Sequence, residues 1–136
     1  MTRPLPPAIL ACALALCVSA CASTTSTSNF KGAEREAAQA IANLQSAASA
    51  GEGSKICADD LAHAIVVKLG GKKGCERAIK NQLIQVDNLE AKIEAVKVAP
   101  GGGSATATVK SIRYGKSTLD SVSLVREGAS WKISGP

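Results

Sequence analysis

Apolar residues in the central part of the chain recur every three or four positions, a spacing that predicts helices. A first helix is predicted over about 31–50, because its apolar side chains fall on one narrow stripe. The members of this stripe, half of them alanine, are Phe30, Ala33, Ala37, Ile41, Leu44 and Ala48. Gly51 follows the stripe and suits a left-handed helix cap.

The same spacing predicts two more helices. Ser54 is expected to cap the second, over about 54–69. Its inward face would consist of Ala58, Leu61, Ala62, Ile65 and Leu69. A glycine-rich link at 70–74 separates it from a third helix over about 75–86.

Beyond Asp87 the apolar period falls towards two, and β-branched residues and threonines become frequent, which predicts strands. Four strands are expected at about 90–98, 105–112, 118–126 and 130–134. Because the links between them are short, the strands should form an antiparallel meander. The predicted fold class is α+β, with three N-terminal helices packed on a curled four-stranded antiparallel sheet.

The first twenty residues have the pattern of a signal peptide. Arg3 is followed by an unbroken apolar run over 8–18, which is shorter than the ~20 residues of a membrane-spanning helix. The sequence Val18-Ser19-Ala20-Cys21 resembles the lipobox of bacterial lipoproteins. This resemblance implies removal of residues 1–20, acylation of Cys21 by chains such as palmitate, and a lipid anchor on the extracytoplasmic face of the cell membrane. The alternative is an ordinary signal peptide in which Cys21 is incidental.

The remaining chain divides into a Ser/Thr-rich tether at 21–29 and one domain at 30–136. Phe30, Tyr114 and Trp131 are its only aromatic residues, so the core must consist of Ala, Val, Ile and Leu, with Trp131 as a lid. The net charge of the whole chain is +5. With so few aromatic side chains for base stacking, nucleic-acid binding is not expected.

Two cysteines remain in the domain, Cys57 and Cys75, and an exported compartment allows them to form a disulfide. The alternative is a metal site formed by Cys57, His63 and Cys75, which lacks a fourth ligand. The metal-free disulfide is the preferred prediction. No cofactor is expected, because the glycine-containing segments lack the spacing of nucleotide-binding loops.

His63, the only histidine, follows Asp59 and Asp60 on the predicted second helix. These residues could act as a general base. The predicted inward face instead turns His63 and Asp60 towards solvent, as a surface pair near the helix N-terminus.

A cluster of basic residues surrounds the glycine-rich link and consists of Lys68, Lys72, Lys73, Arg77 and Lys80. It is either a solvated surface or a patch for anionic lipid or cell-wall polymer.

Helices followed by a curled sheet resemble the NTF2-like (SnoaL-type) cone over about 30–136, and the segment 123–133, in which Trp131 follows the last turn, resembles the final hairpin of such domains. Small actinobacterial envelope lipoproteins are similar and carry a cysteine pair between their second and third helices, where Cys57 and Cys75 lie. The resemblance implies a membrane-anchored, non-enzymatic module that binds a small apolar ligand or an envelope protein. The alternatives are a small isomerase or dehydratase that uses the cone as its active site, and a purely structural envelope protein.

Overall fold

The computed structural model describes residues 25–84, 90–113 and 115–136 of the chain. The signal-like segment and Cys21 lie outside these residues, as do the predicted end of the third helix at Val86 and the side chain of Tyr114. Within the described part of the chain, no helix is long and apolar enough to cross a membrane.

The first predicted helix is confirmed as α1, Gly32–Ser49. Its buried residues include Ala37 and Ile41 from the predicted stripe. The helix ends as its sequence indicates, because Gly51 takes a positive φ of 71°. The N–H of Gly51 then donates to the carbonyl of Ala48 and that of Glu52 to the carbonyl of Ala47, which satisfies two terminal carbonyls of the helix.

The second predicted helix is wrong as a single element. The segment forms α2 (Gly53–Lys55), a π-helical turn (Ile56–Asp60) and, after an extended break, α3 (His63–Lys68). Ser54 is not the cap, because α2 begins at Gly53. The break has a tertiary cause: the Ala62 N–H donates to the carbonyl of Ile133 at 2.8 Å. Pairing with the sheet edge therefore overrides the local helical period.

The third predicted helix begins earlier than expected, as α4 (Gly71–Ile84). Gly70 and Gly71 both have positive φ, so the glycine-rich link forms the sharp turn between α3 and α4. At Gly74 a Cβ atom would lie 2.0 Å from the carbonyl oxygen of Leu69. This close approach requires glycine in the first turn of α4.

The sheet follows the sequence prediction closely. Its strands are β1 (Glu90–Val98), β2 (Ser104–Arg113), β3 (Lys116–Glu127) and β4 (Ser130–Gly135). They form an antiparallel meander in the order β1-β2-β3-β4. A bulge between Ile93 and Ala95 and another opposite Leu124 interrupt the register, which is typical of a curled sheet.

One face of the sheet packs against α1 and forms the core. Alternate residues of each strand point to this face, and the core is made of small and aliphatic side chains as the composition predicts. Its strand members include Ile93, Val96, Ala105, Ala107, Val109, Leu124, Trp131 and Ile133. The opposite face carries exposed residues such as Thr106 and Ser121. The α+β class with a curled antiparallel sheet is thus observed, with four α-helices and a π-helical turn in the described residues instead of three helices.

Candidate functional site

An open cleft of about 940 Å³ lies between one edge of α1, the π-helical turn and the β3–β4 hairpin. Polar residues of α1 form one wall, including Arg35, Gln39 and Asn43. The other side is formed by the π-helical turn and by Trp131 and Lys132 of β4. Charged and amide side chains therefore dominate this surface, and it differs in chemistry from the apolar core beneath it.

Asp60 lines this cleft and is only 6% exposed. The sequence prediction that Asp60 faces solvent is therefore wrong. The π-helical turn explains the difference, because the Leu61 N–H donates to the carbonyl of Ile56, five residues earlier. The wider turn and the extended backbone at Leu61 change the direction in which Asp60 points.

The surroundings of Asp60 disfavour the charged form of its carboxyl group. Its Oδ2 atom is buried and has no hydrogen-bond partner among the described residues. Burial raises the pKa of Asp60 above its ordinary value of 3.8, and the neighbouring charge of Asp59 raises it further. Lys55 and Lys132 act in the opposite direction. A buried, unpaired carboxyl with a raised pKa in a cleft is a candidate for ligand contact.

Trp131 also lines the cleft and carries a second unsatisfied polar atom. Its side chain is 6% exposed and belongs to the core, as predicted, but its indole Nε1 has no hydrogen-bond partner within the described part of the chain. The guanidinium of Arg126 lies 4.9 Å from the centre of the Trp131 ring and pairs with Glu36 of α1 at 2.5 Å. Arg126 therefore connects the indole of Trp131 to α1 through Glu36.

Lys132 links the π-helical turn to β4 on one side of the cleft. Its ammonium group donates to the backbone carbonyl of Asp59 in the π-helical turn. The same segment is joined to β4 by the bridge between Leu61 and Ile133. The π-helical turn that carries Asp60 is therefore held against β4 by both side-chain and backbone hydrogen bonds.

His63 is exposed, as predicted, but it does not share a helix with Asp60. It begins α3 after the break, and its backbone N–H donates to Oε1 of Glu127 at 2.9 Å. The expected surface pair of Asp60 and His63 on one helix is therefore absent. His63 is also not among the residues that line the cleft.

Cys57 and Cys75 are joined in a disulfide bond, with their Cα atoms 6.0 Å apart. The predicted pairing is thus present, and it removes both thiols from the alternative metal site with His63. Across the described ranges, no group of three or more His, Cys, Asp and Glu residues is arranged to hold a metal ion.

The predicted basic cluster lies away from this cleft. Its members are exposed residues at the end of α3 and along α4, namely Lys68, Lys72, Lys73, Arg77 and Lys80. None of them lines the cleft. A role for this cluster in binding anionic polymers stays a prediction.

A separate cluster of polar residues lies at the end of the sheet where β2 leads into β3. Ser111, Thr118 and Asp120 share the face of β2 and β3 that also carries Ala107 and Leu124. The hydroxyl oxygens of Ser111 and Thr118 are 2.8 Å apart, and the Ser111 hydroxyl donates to Asp120 at 3.2 Å. These mutual hydrogen bonds satisfy Asp120, in contrast to Asp60.

The sequence offered Asp60 as part of a possible general base, but the helical period led to its rejection because it placed this side chain in solvent. The alternation of Trp131 and Ile133 along β4 predicts that the Trp131 side chain is buried. The helical period around Asp60, in contrast, predicts the wrong orientation for the Asp60 side chain. Comparison of the chain with protein-family models, curated proteins and solved structures gave no match. The functional proposal therefore rests on the cleft and on the N-terminal sequence.

Proposed function

We propose that this chain is a lipid-anchored, extracytoplasmic binding module that takes a small polar molecule into the cleft beside Asp60 and Trp131. The observation that carries the proposal is the presence of two buried, unpaired polar atoms, Asp60 Oδ2 and Trp131 Nε1, on residues that line one open cleft. Leaving such atoms unsatisfied costs about 1–3 kcal/mol each, so a ligand that pairs with them gains affinity.

The chemistry of the cleft defines the ligand class. The carboxyl group of Asp60 accepts hydrogen bonds, while the Trp131 indole only donates. Gln39 and Asn43 on α1 add amide groups that both donate and accept. The ligand is therefore a molecule with hydroxyl or amide groups. The polar lining favours this class over the apolar ligand expected from the sequence.

Anchoring through Cys21 is the second part of the proposal. It is supported by the apolar run at 8–18 and the lipobox-like sequence before Cys21. The disulfide between Cys57 and Cys75 agrees with an oxidising compartment. The order of helices followed by a curled antiparallel sheet supports an NTF2-like architecture for the domain.

An enzyme remains the second candidate, because the buried Asp60 has the raised pKa that general acid–base catalysis uses. His63 would have no part in it, since it lies outside the cleft. The class of reaction would be proton transfer at a polar substrate held beside Trp131.

The experiment first locates the protein in its bacterial host. Wild-type chain should be recovered in the membrane fraction with an acylated N-terminal Cys21, and Cys21→Ser should abolish this modification. Soluble wild-type chain with an unmodified Cys21 would contradict the anchor.

The cleft is then tested with saccharides, amino acids and short peptides as thermal-shift probes. A ligand at one hundred times its dissociation constant should stabilise the fold by about 2.7 kcal/mol. Asp60→Ala and Trp131→Phe should reduce this shift, whereas Thr106→Ala on the exposed sheet face should not. Probes that stabilise all variants equally bind elsewhere, and turnover of a probe that Asp60→Ala abolishes would favour the enzyme.

A further inference from the structure

One end of the sheet lies close to the point where the chain enters the domain. The Thr25 hydroxyl donates to the carbonyl of Ala91, near the start of β1, at 3.3 Å. Ala91 is paired with Ser111, near the end of β2, and Ser111 with Thr118, near the start of β3. The N-terminal segment therefore meets the domain at the β2–β3 hairpin end of the sheet.

This end carries two of the exposed large apolar side chains of the described residues. Leu119 is 66% exposed and Ile112 is 41% exposed. Ile112 is paired with Ser117, so Leu119 is its diagonal neighbour on the adjacent strand and on the same outer face. Single exposed apolar residues are ordinary on protein surfaces, but these two are adjacent.

Lysines accompany the apolar pair. Lys110 lies directly opposite Leu119 in the register of β2 and β3, and Lys116 is exposed at the start of β3. Long basic side chains can keep their ammonium groups in water while their stems cover apolar surface. Apolar residues bordered by lysines complement an anionic lipid surface, where the head groups meet the lysines and the outer acyl region meets the apolar groups.

From these observations we infer that the β2–β3 hairpin end docks on an anionic lipid bilayer through Lys110, Ile112 and Leu119 on its outer face, with Lys116 exposed beside the turn at the start of β3. The inference rests on the proposed lipid anchor at Cys21. Covalent reach supports it: Cys21 is four residues from Thr25, which allows at most about 14 Å between their Cα atoms. The hairpin end is thus held beside the membrane by the anchor.

Docking in this way orients the whole domain. Leu119 and Arg126 are seven residues apart on β3, which corresponds to about 23 Å along the strand. Arg126 contacts Trp131 at the cleft, so the cleft lies at the end of the sheet remote from the bilayer. A membrane-bound domain would keep this cleft accessible to molecules in the surrounding compartment.

The alternative membrane surface is the basic cluster of α3 and α4. It belongs to the other end of the sheet, because α3 begins where His63 binds Glu127 at the end of β3. Because the two surfaces lie at opposite ends of the sheet, only one of them can face the bilayer beside the tether. Lys110 and Lys116 on one side, and Lys72 and Lys73 on the other, therefore distinguish the two orientations.

The test uses the mature, lipidated chain reconstituted in vesicles of phosphatidylglycerol and phosphatidylcholine. Lysines are acetylated with a membrane-impermeant reagent and quantified by mass spectrometry. The reference is the soluble chain beginning at residue 21 with Cys21→Ser. We expect Lys110 and Lys116 to react severalfold more slowly on vesicles than in the reference, and Lys72 and Lys73 to react at equal rates in both.

A paired variant tests the apolar contact. Ile112→Ser combined with Leu119→Ser should restore the reaction of Lys110 and Lys116, whereas Val67→Ser on the exposed surface of α3 should leave their protection unchanged. Both variants alter exposed side chains, and an unchanged melting temperature confirms folding. The comparison of the wild-type chain on vesicles with the soluble reference does not depend on these variants.

The outcomes separate the two claims. A chain that is acylated and membrane-bound, but reacts equally at Lys110 and Lys116 or is protected at Lys72 and Lys73 instead, would overturn the docking inference and retain the anchor. Protection that persists in the paired variant would also overturn it. A wild-type chain lacking acylation at Cys21 would remove the anchor itself, and with it the proposed function.

Discussion

The buried carboxyl group of Asp60 makes the stability of this fold depend on pH. Because its pKa is raised in the folded chain, the folded state holds this proton more tightly than the unfolded state. The group's contribution is most favourable below the unfolded pKa, close to 3.8, and it is lost as pH rises through the raised folded pKa. Asp60→Asn should therefore increase the free energy of unfolding at neutral pH, by on the order of 1 kcal/mol.

The measurement is urea denaturation of wild type and Asp60→Asn across the acidic to neutral range. The difference between the two proteins should grow as pH rises above 3.8 and then level off. Glu34→Gln, at an exposed position on α1, is the control for the removal of one carboxylate. A variant that is less stable than wild type at neutral pH would show that the Asp60 carboxylate has a stabilising partner.

Sequence periodicity could not have predicted the burial of the Asp60 side chain. Periodicity assumes a regular helix, and one π-helical turn followed by extended backbone at Leu61 is enough to change every later orientation. His63 is exposed as predicted, although the helix used to predict it does not exist. The cleft depends on this local irregularity, so its buried acid was not visible in the pattern.

The short helix α3 is capped by a residue of β3. Its N-cap residue is Ala62, which has no side-chain oxygen, and the Glu127 carboxylate accepts the His63 N–H instead. Glu127→Ala should lower the free energy of unfolding by about 1 kcal/mol, as expected for the loss of a cap. Chemical denaturation at neutral pH measures this loss. Glu127→Gln keeps an acceptor oxygen and should lose less; equal losses in both variants would contradict the capping role.

The elements that the sequence predicted well are those with local causes. The stripe of α1 and its glycine cap are encoded within α1 and its flanking residues, and the strands are separated by short turns such as the one at Gly128. The second helix failed because Leu61 and Ala62 pair with Ile133, more than seventy residues later. Such pairing covers part of the edge of β4 and outweighs a helical preference that is weak per residue.

For the molecule as a whole, the sheet and α1 form the core, whereas α4 has little buried surface of its own. Cys75 is the only residue of α4 that is buried. The disulfide joins it to Cys57 in the π-helical turn, the same segment that carries Asp60. The number of cysteines predicted this bond, but only the structure shows that the bond holds the one buried residue of α4. The bond thus couples α4 to one wall of the cleft.

Reduction of the disulfide should therefore destabilise the chain unevenly. Cys57 and Cys75 are 18 residues apart, and closing a loop of this size stabilises the folded state by about 3 kcal/mol in the chain-entropy description. Denaturation with and without reductant should show a loss of this order. Hydrogen exchange should accelerate more for amides of α4 than for those of β2 and β3, because α4 can then open locally. Equal acceleration in all three elements would show that α4 is held by contacts other than the bond to Cys75.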